Sequence, residues 1–483
     1  MSDITNSSKG SSLLYKSFLL LIIWLPFPFG SNRPWAWSIL EIAVFSIALM
    51  WLVLYLKGKV SFSIPFTKAM PAVIIYLLWL LLLVFQILPL PSSLVSMISP
   101  KAIEHAARVG TSDGFVRLSL DPYATLVSLY KSIAYFLFFC ISLLILNSRS
   151  RLITLSLVIV FSGLFQAMYG SLMVLSGLEY GFFIKKFAYI GNATGTFVNR
   201  NHLAAYLVMS LALGIGLMVF KLDRNESTGI KHKIRYFFGL LLSQKLRLRL
   251  YLVLIVIGLV LTHSRMGNAS FFLGLMLAGI VSLILSKNAS RQTVLLLASL
   301  IIIDLMIVGT WFGLDNVADR LEKTSIEKES RDNVYVYVLE EVKDYKYTGT
   351  GLGTFYGVFP NYRGQDVPGF YDHAHNDYLQ FTSETGVIGM ALLSMLVLVT
   401  LVTAIKANRY RNDPLMQGIS FAVIMAVFAM LIHASVDFSM QIPANAATFN
   451  VILALAWIAR YHPSRLPKVK PHAGENSTHN KNT

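Results

Sequence analysis

Apolar residues in this chain come in blocks of roughly 20, long enough to cross a bilayer as helices, and this leaves few folds open. A soluble chain of this length would break its apolar residues into shorter runs at helical or strand period. Twelve candidate spans can be placed, at about 13–29, 36–56, 70–88, 124–146, 152–177, 201–220, 248–263, 266–286, 293–313, 384–405, 415–437 and 443–460. A hydrophobic share of 55% against 14% charged agrees with that count. The expectation is an all-α, polytopic membrane protein of about 12 transmembrane helices.

The first block follows Lys9 and Lys16, as a signal peptide would, but runs on through Leu25-Pro26-Phe27-Pro28 without a small-x-small cleavage site. It reads as a retained first helix. The single cysteine, Cys140, lies inside an apolar run, so no intramolecular disulfide forms and the thiol reads as packing.

A net charge of +16 resembles a nucleic-acid signal, but its distribution points to the bilayer instead. With the N-terminus in the cytoplasm, 25 of the 41 lysines and arginines fall in the inner segments, termini included, as the positive-inside rule requires. Both termini are then cytoplasmic, and three long connections, 89–123, 178–200 and 314–383, lie outside. The expected divisions are N-terminal helices with the first outer loop (1–123), a transmembrane core (124–313), a large outer loop (314–383), C-terminal helices (384–462) and a disordered cytoplasmic tail (463–483). Within the large loop, Asp315–Tyr345 is charged and helix-like, while Tyr347–Gly369, with Gly349, Gly351 and Gly353, reads as irregular.

The densest polar segment is Tyr371–Gly389, YDHAHNDYLQFTSETGVIG, where the large loop meets a span. Buried polar groups must find partners, so ionisable groups at a membrane edge are site candidates. His373 or His375 suits a general base near neutral pH, with Asp372, Asp377 or Glu384 to orient it. The bland alternative is a polar cap tying the loop to the helix. His-x-His also raises metal binding, but the two side chains diverge by about 200° on a helix, and no third His or Cys ligand lies nearby. No metal or cofactor is expected.

Three further groups stand out. Arg265, in Thr262-His263-Ser264-Arg265 between two closely joined spans, suits a phosphate or diphosphate or a structural ion pair. Arg200, with Asn199 or Asn201 as a helix cap, and Lys185-Lys186 place positive charge outside, against the overall trend. Arg331 in the large loop is a further candidate anion contact. His433 and Asp437, spaced i,i+4 on the eleventh span, read either as a proton pathway or as a buried pair locking helices.

His375-Asn376, nine residues, then Gly386-x-x-Gly389 matches the H-[NSQ]-x9-G-x-x-G pattern of bacterial O-antigen ligases. The chain resembles that ligase–polymerase family, including exopolysaccharide polymerases and protein O-oligosaccharyltransferases. The Gly195–Asn199, Ser264-Arg265, Gly349–Phe355 and His433–Asp437 segments are similar as well. The resemblance implies a GT-C-like, metal-independent, inverting glycosyltransferase in the bacterial inner membrane, with its active site on the periplasmic face. It implies a donor glycan on undecaprenyl diphosphate and an acceptor hydroxyl on lipid A-core, a growing polysaccharide or a protein. His375 would be the base and Arg265, Arg200 and Arg331 the diphosphate contacts. Asn376, Asp377 and Tyr378 would bind substrate, with His373, Glu384, Gly386, Gly389, His433 and Asp437 supporting. The competing class is a secondary transporter of a small anion built on His433 and Asp437. Transporters concentrate polar residues near mid-membrane, whereas here most lie at outer helix ends.

Overall fold

A computed structural model describes residues 2–110, 114–181, 184–221, 244–285, 302, 334–367 and 369–463. Among these, eleven helices have membrane-scale length. They are α1 (Ser2–Trp24), α2 (Pro34–Leu56), α3 (Met70–Ile87), α4 (Pro122–Ile145), α5 (Arg149–Ser176), α6 (Arg200–Lys221), α7 (Gln244–Leu261), α8 (Arg265–Leu285), α9 (Asp377–Tyr410), α10 (Pro414–Ala434) and α11 (Pro443–Tyr461). Strand is confined to two pairs of two-residue antiparallel strands, Leu90–Pro91 with Phe115–Val116 and Tyr180–Gly181 with Ile184–Lys185. The protein is all-α and multi-pass.

Eight of the helices, α2–α6 and α8–α10, are both long and apolar enough to cross a membrane. The other three fall short for local reasons. Helix α1 opens on a polar turn and α7 on Gln244-Lys-Leu-Arg-Leu-Arg. Helix α11 carries Asn445, Asn450 and six alanines, yet every residue from Pro443 to Ala459 is buried. It sits at the centre of the bundle and has no lipid to satisfy. The expected span 293–313 apart from residue 302, Arg331 and the tail beyond 463 lie outside the described residues.

Small residues set how closely the central helices approach, as in membrane bundles generally. A Cβ on Gly216 of α6 would come within 2.3 Å of the Gly418 carbonyl on α10. One on Gly274 of α8 would come within 2.7 Å of Ala429 Cβ, also on α10. Gly267 of α8 likewise abuts Ala204 of α6, at 2.5 Å. Helices α6 and α8 therefore run side by side from the same end of the bundle, the end at which α10 finishes.

That end is covered by the connections 88–121, 177–199 and 334–376. Two small apolar cores hold the cover together. Val95, Ala102, Ala106, Val116 and Leu118 pack on Tyr345. Val334 and Val338, from a helix over 334–344, pack on Phe355, Phe359, Val367 and Ala374.

Helix α9 departs from the expected tenth span. It begins at Asp377, seven residues before 384, and is broken at Gly386, whose φ of 65° and ψ of −178° leave the helix. The break is filled by the glycine loop at 349–353. Thr350 N–H donates to the Ser383 carbonyl (3.0 Å), Gly351 N–H to Glu384 (2.9 Å), and Val387 N–H to Lys346 (2.8 Å). The loop thus takes up backbone groups that a continuous helix would have paired internally.

Candidate active site

Asn376 starts α9. Its backbone is extended, and its Oδ1 accepts from Leu379 N–H at 3.1 Å, an ordinary N-cap. The residue before it, His375, lies in the left-handed region with φ of 51°. For a residue with a Cβ this costs about 1–3 kcal/mol and persists only where the surroundings enforce it. Here the His375 carbonyl accepts from Tyr335 Oη (3.1 Å), and Asn376 Nδ2 donates to the Ser435 carbonyl (2.9 Å).

The strained turn places His375 Nδ1 3.7 Å from Asp437 Oδ1, an ion-pair distance too long for a hydrogen bond. Asp437 is not a further turn of α10, which ends at Ala434. The i,i+4 pairing expected with His433 is therefore not formed on one helix face. Asp437 lies in the connection to α11, with Phe438 N–H on its Oδ1 at 2.8 Å, while His433 Nδ1 meets Ser439 Oγ at 3.0 Å. Burial opposes the charge on Asp437, but the histidines around it, His375 and His202 first, hold its carboxyl below the usual carboxylate range.

Phe438 is the hub of the cluster. His373 stacks on its ring at 4.1 Å, and His375 and His202 meet it edge-on at 4.9 Å and 4.6 Å. Gln380 sets the orientation of His373. Its Oε1 accepts from Ala374 N–H (3.1 Å), leaving Nε2 to donate to His373 Nδ1 (3.0 Å) and Glu384 Oε1 (3.3 Å). Burial pushes His373 down from its ordinary value, favouring the neutral ring.

Three residues expected to bind substrate are engaged with the protein itself. Asn376 bonds Ser435, Asp377 Oδ2 accepts from Met440 N–H at 3.0 Å, and Tyr378 Oη donates to the Leu431 carbonyl at 2.7 Å. Together they fasten the start of α9 to the last turn of α10 and to the α10–α11 connection that carries Asp437. Glu384 is buried, accepting from Phe355 N–H at 3.2 Å, and Gln86 of α3 donates to the Glu384 carbonyl at 2.9 Å and to Thr348 at 2.6 Å.

The arginines gather at the same end. Ser264 caps α8 through Gly267 N–H (3.1 Å), which puts Arg265 in the first turn, exposed. Asn199 Oδ1 accepts from Asn201 N–H (2.8 Å) at the start of α6, beside Arg200. Asn192 Oδ1 accepts from Arg200 (2.8 Å) and lies 3.1 Å from His263 Nδ1, two residues before Arg265. The Gly267–Ala204 contact sets the two helix N-termini side by side, and His202, half a turn on from Arg200, reaches Phe438. Arg265, Arg200 and the histidine cluster thus share one end of the bundle. A helix N-terminus favours an anion and disfavours a cation, each by about 0.3–1 kcal/mol. Arginine in the first turn of α8 is a poor choice for the helix and a good one for an anionic ligand.

Residues 250–394 match the family model described as O-antigen ligase. Over that segment the chain is similar to O-antigen ligases. No curated protein matches it. The O-antigen ligase match takes in Arg265, His375 and the Gly386 break, and stops short of Arg200, His202 and Asp437 at either side. Among the described residues no group of three or more His, Cys, Asp or Glu is placed to hold a metal ion.

Sequence reasoning named no role for His202, Gln86 or Phe438. Gln86 carried a signal, as the only strongly polar side chain within α3. Phe438 carried none, since nothing in a phenylalanine between two spans marks it as the ring on which three imidazoles meet.

Proposed function

We propose that this protein is a glycosyltransferase of O-antigen ligase type. It moves a glycan from undecaprenyl diphosphate to an acceptor hydroxyl at the periplasmic face of the bacterial inner membrane. The observation that carries this reading is the His375–Asp437 approach at 3.7 Å, at the end of the bundle where Arg265 opens α8.

His375 accepts the acceptor's hydroxyl proton on Nε2 as the oxygen attacks the anomeric carbon. The bond from that carbon to the diphosphate oxygen breaks, and its electron pair leaves with the diphosphate. A single displacement of this kind inverts the anomeric centre. Asp437, negative and buried, stabilises the imidazolium that forms, as the orienting carboxylate beside a general base does. The pair is long for this role and shortens when substrate closes the site. Arg265 and Arg200, with Arg331, meet the charge on the leaving group, which is stabilisation by prepositioned cations. No metal takes part in this scheme. Asn376, Asp377 and Tyr378 are positioning residues, and His373 lines the site as a neutral ring.

The acceptor is lipid A-core or a growing polysaccharide, and the same chemistry would serve a protein hydroxyl. The test is transfer from a synthetic lipid-diphosphate-linked glycan in proteoliposomes. His375→Ala and Arg265→Ala insert and fold yet transfer nothing measurable. Normal transfer by a well-folded His375→Ala protein would end this reading.

A further inference from the structure

Beyond Gly177, whose φ of 69° ends α5, the chain folds back along the helix instead of continuing outward. Tyr169 of α5 donates from Oη to the Tyr180 carbonyl at 2.9 Å. Tyr169 lies seven residues before the helix end at Ser176, about 10 Å at 1.5 Å per residue. A helical side chain also leans toward the N-terminus. The paired residues Tyr180–Gly181 and Ile184–Lys185 therefore lie beside the last turns of α5.

This hairpin is sorted the wrong way round for water. Its ion pair, Glu179 with Lys186, is turned inward, the side chains 12% and 7% exposed. Glu179 also accepts from Gly191 N–H at 2.8 Å, and Lys186 Nζ donates to the Tyr189 and Asn192 carbonyls at 3.0 Å and 2.8 Å. Leu178, Phe187 and Ile190 are by contrast 68%, 78% and 59% exposed, and Ile184 is exposed with them. A loop surrounded by water solvates its charges and covers its large apolar side chains. A cluster of such side chains left open marks an interaction surface.

The neighbouring helix says what covers this surface. Leu172 and Leu175, in the last turns of α5, are exposed on a helix long and apolar enough to cross a membrane, so lipid surrounds them. The Tyr169–Tyr180 bond sets the hairpin against that same stretch of helix, and its apolar side chains continue the lipid-facing surface. Lys185, exposed among them, has the long stem that lets an ammonium reach the headgroups while its methylenes stay in hydrocarbon.

We propose that residues 178–181 and 184–190 are a membrane anchor, with Leu178, Ile184, Phe187 and Ile190 immersed in the leaflet at the site end of the bundle. The partner is the hydrocarbon of the bilayer itself, met by apolar contact as an interfacial segment meets it. The inference is independent of the transfer reaction and of any lipid-linked substrate.

The test is spin-label accessibility in the full-length protein, reconstituted in vesicles of phosphatidylethanolamine and phosphatidylglycerol without any lipid-linked glycan. Cys140 is the single cysteine, so in a Cys140→Ala background a nitroxide is attached at Phe187→Cys or Ile190→Cys. Leu172→Cys supplies the lipid reference, and Gln365→Cys, exposed in the cover, the aqueous one. Collision with oxygen, which concentrates in hydrocarbon, should exceed collision with a water-soluble nickel chelate at 187 and 190 as it does at 172, and the ratio should invert at 365. Ratios at 187 and 190 that match the one at 365 would place the hairpin in water and overturn the proposal. Loss of both collisions, with spin–spin broadening between molecules, would assign the surface to a second copy of this chain and overturn it too. Phe187→Trp with Cys140 intact gives a second reading free of the label. The fluorescence it adds over wild type should be quenched in vesicles of brominated lipid, and added emission that survives bromination would also overturn the anchor.

Discussion

His375 Nδ1 stands 3.7 Å from Asp437 Oδ1 although 62 residues and two helices separate them in the chain. The contact exists because α9 begins in a strained turn, with His375 at φ of 51°, and α10 stops at Ala434. Either helix running one turn farther would pull the two side chains apart.

Asp437→Asn keeps the shape of this contact and removes its charge. Transfer should fall by about 100-fold or more, in the range that general-base machinery supplies, with KM for the lipid-linked donor little changed. Asp437→Glu should recover part of the loss. The stability consequence has a definite sign. The folded carboxyl is held below its usual range, so its contribution is fully present above the unfolded value near 3.9 and is lost as pH falls through the folded value. Wild type and Asp437→Asn should therefore differ in Tm at pH 7 and converge below about pH 4. A gap that widens on acidification would refute the ionised, histidine-surrounded state of Asp437.

How much of this was legible beforehand follows from the range of each signal. Apolar blocks report local composition, and α1–α8 and α9–α11 fall on eleven of the twelve expected segments. The His375–Gly389 register is also local, whereas the helix start at Asn376 was missed, because the expected span began at 384 where the apolar run does. The pairing of Asp437 was misplaced because periodicity extended α10 by a turn past Ala434, where the chain instead turns to present Met440 N–H to Asp377. The roles of Gln86 and Phe438 depend on contacts made across the bundle, which no window of sequence contains. The one-face helical pairing of His433 and Asp437 that suggested a proton pathway is not formed, because Asp437 lies outside the helix.

Gly386 is a position in the motif that no other residue can fill cheaply. An added Cβ would lie 2.1 Å from the Tyr347 carbonyl oxygen, in a backbone conformation of φ 65°, ψ −178° that favours glycine. Gly386→Ala should destabilise the fold by about 2 kcal/mol or more and expose residues 346–375 to protease. Gly357→Ala, where nothing lies within 4 Å, should leave both Tm and protease pattern unchanged. Equal behaviour of the two variants would show that the loop does not dock on the α9 break.

Glu341 offers a pH test of the cover. Its side chain is fully buried, and burial together with the Glu384 carboxylate pushes its pKa up to about 8. A carboxyl raised in the folded state favours folding least when ionised, so the protein should lose stability as pH climbs from the unfolded value near 4.3 to about 8. Glu341→Gln removes that dependence. The variant should gain on wild type across pH 5 to 8.5, reaching a few kcal/mol on the order expected for a shift of this size. Parallel Tm–pH curves for the two proteins would count against a protonated Glu341 in the folded cover.

Arg265 separates function from stability most cleanly. It occupies the first turn of α8, where a positive charge opposes the helix dipole and costs about 0.3–1 kcal/mol. Arg265→Ala should therefore leave Tm unchanged or raise it slightly, while transfer falls by at least about 100-fold through loss of charge stabilisation on the leaving diphosphate. Arg265→Lys restores the charge but not the planar fork that grips two phosphate oxygens, so it should recover only a fraction of the rate. A purely structural arginine would show the reverse, with lower Tm in the alanine variant and full rescue by lysine. Measuring both quantities on the same preparations decides between the two, because a folding defect and a chemical defect move them in different directions.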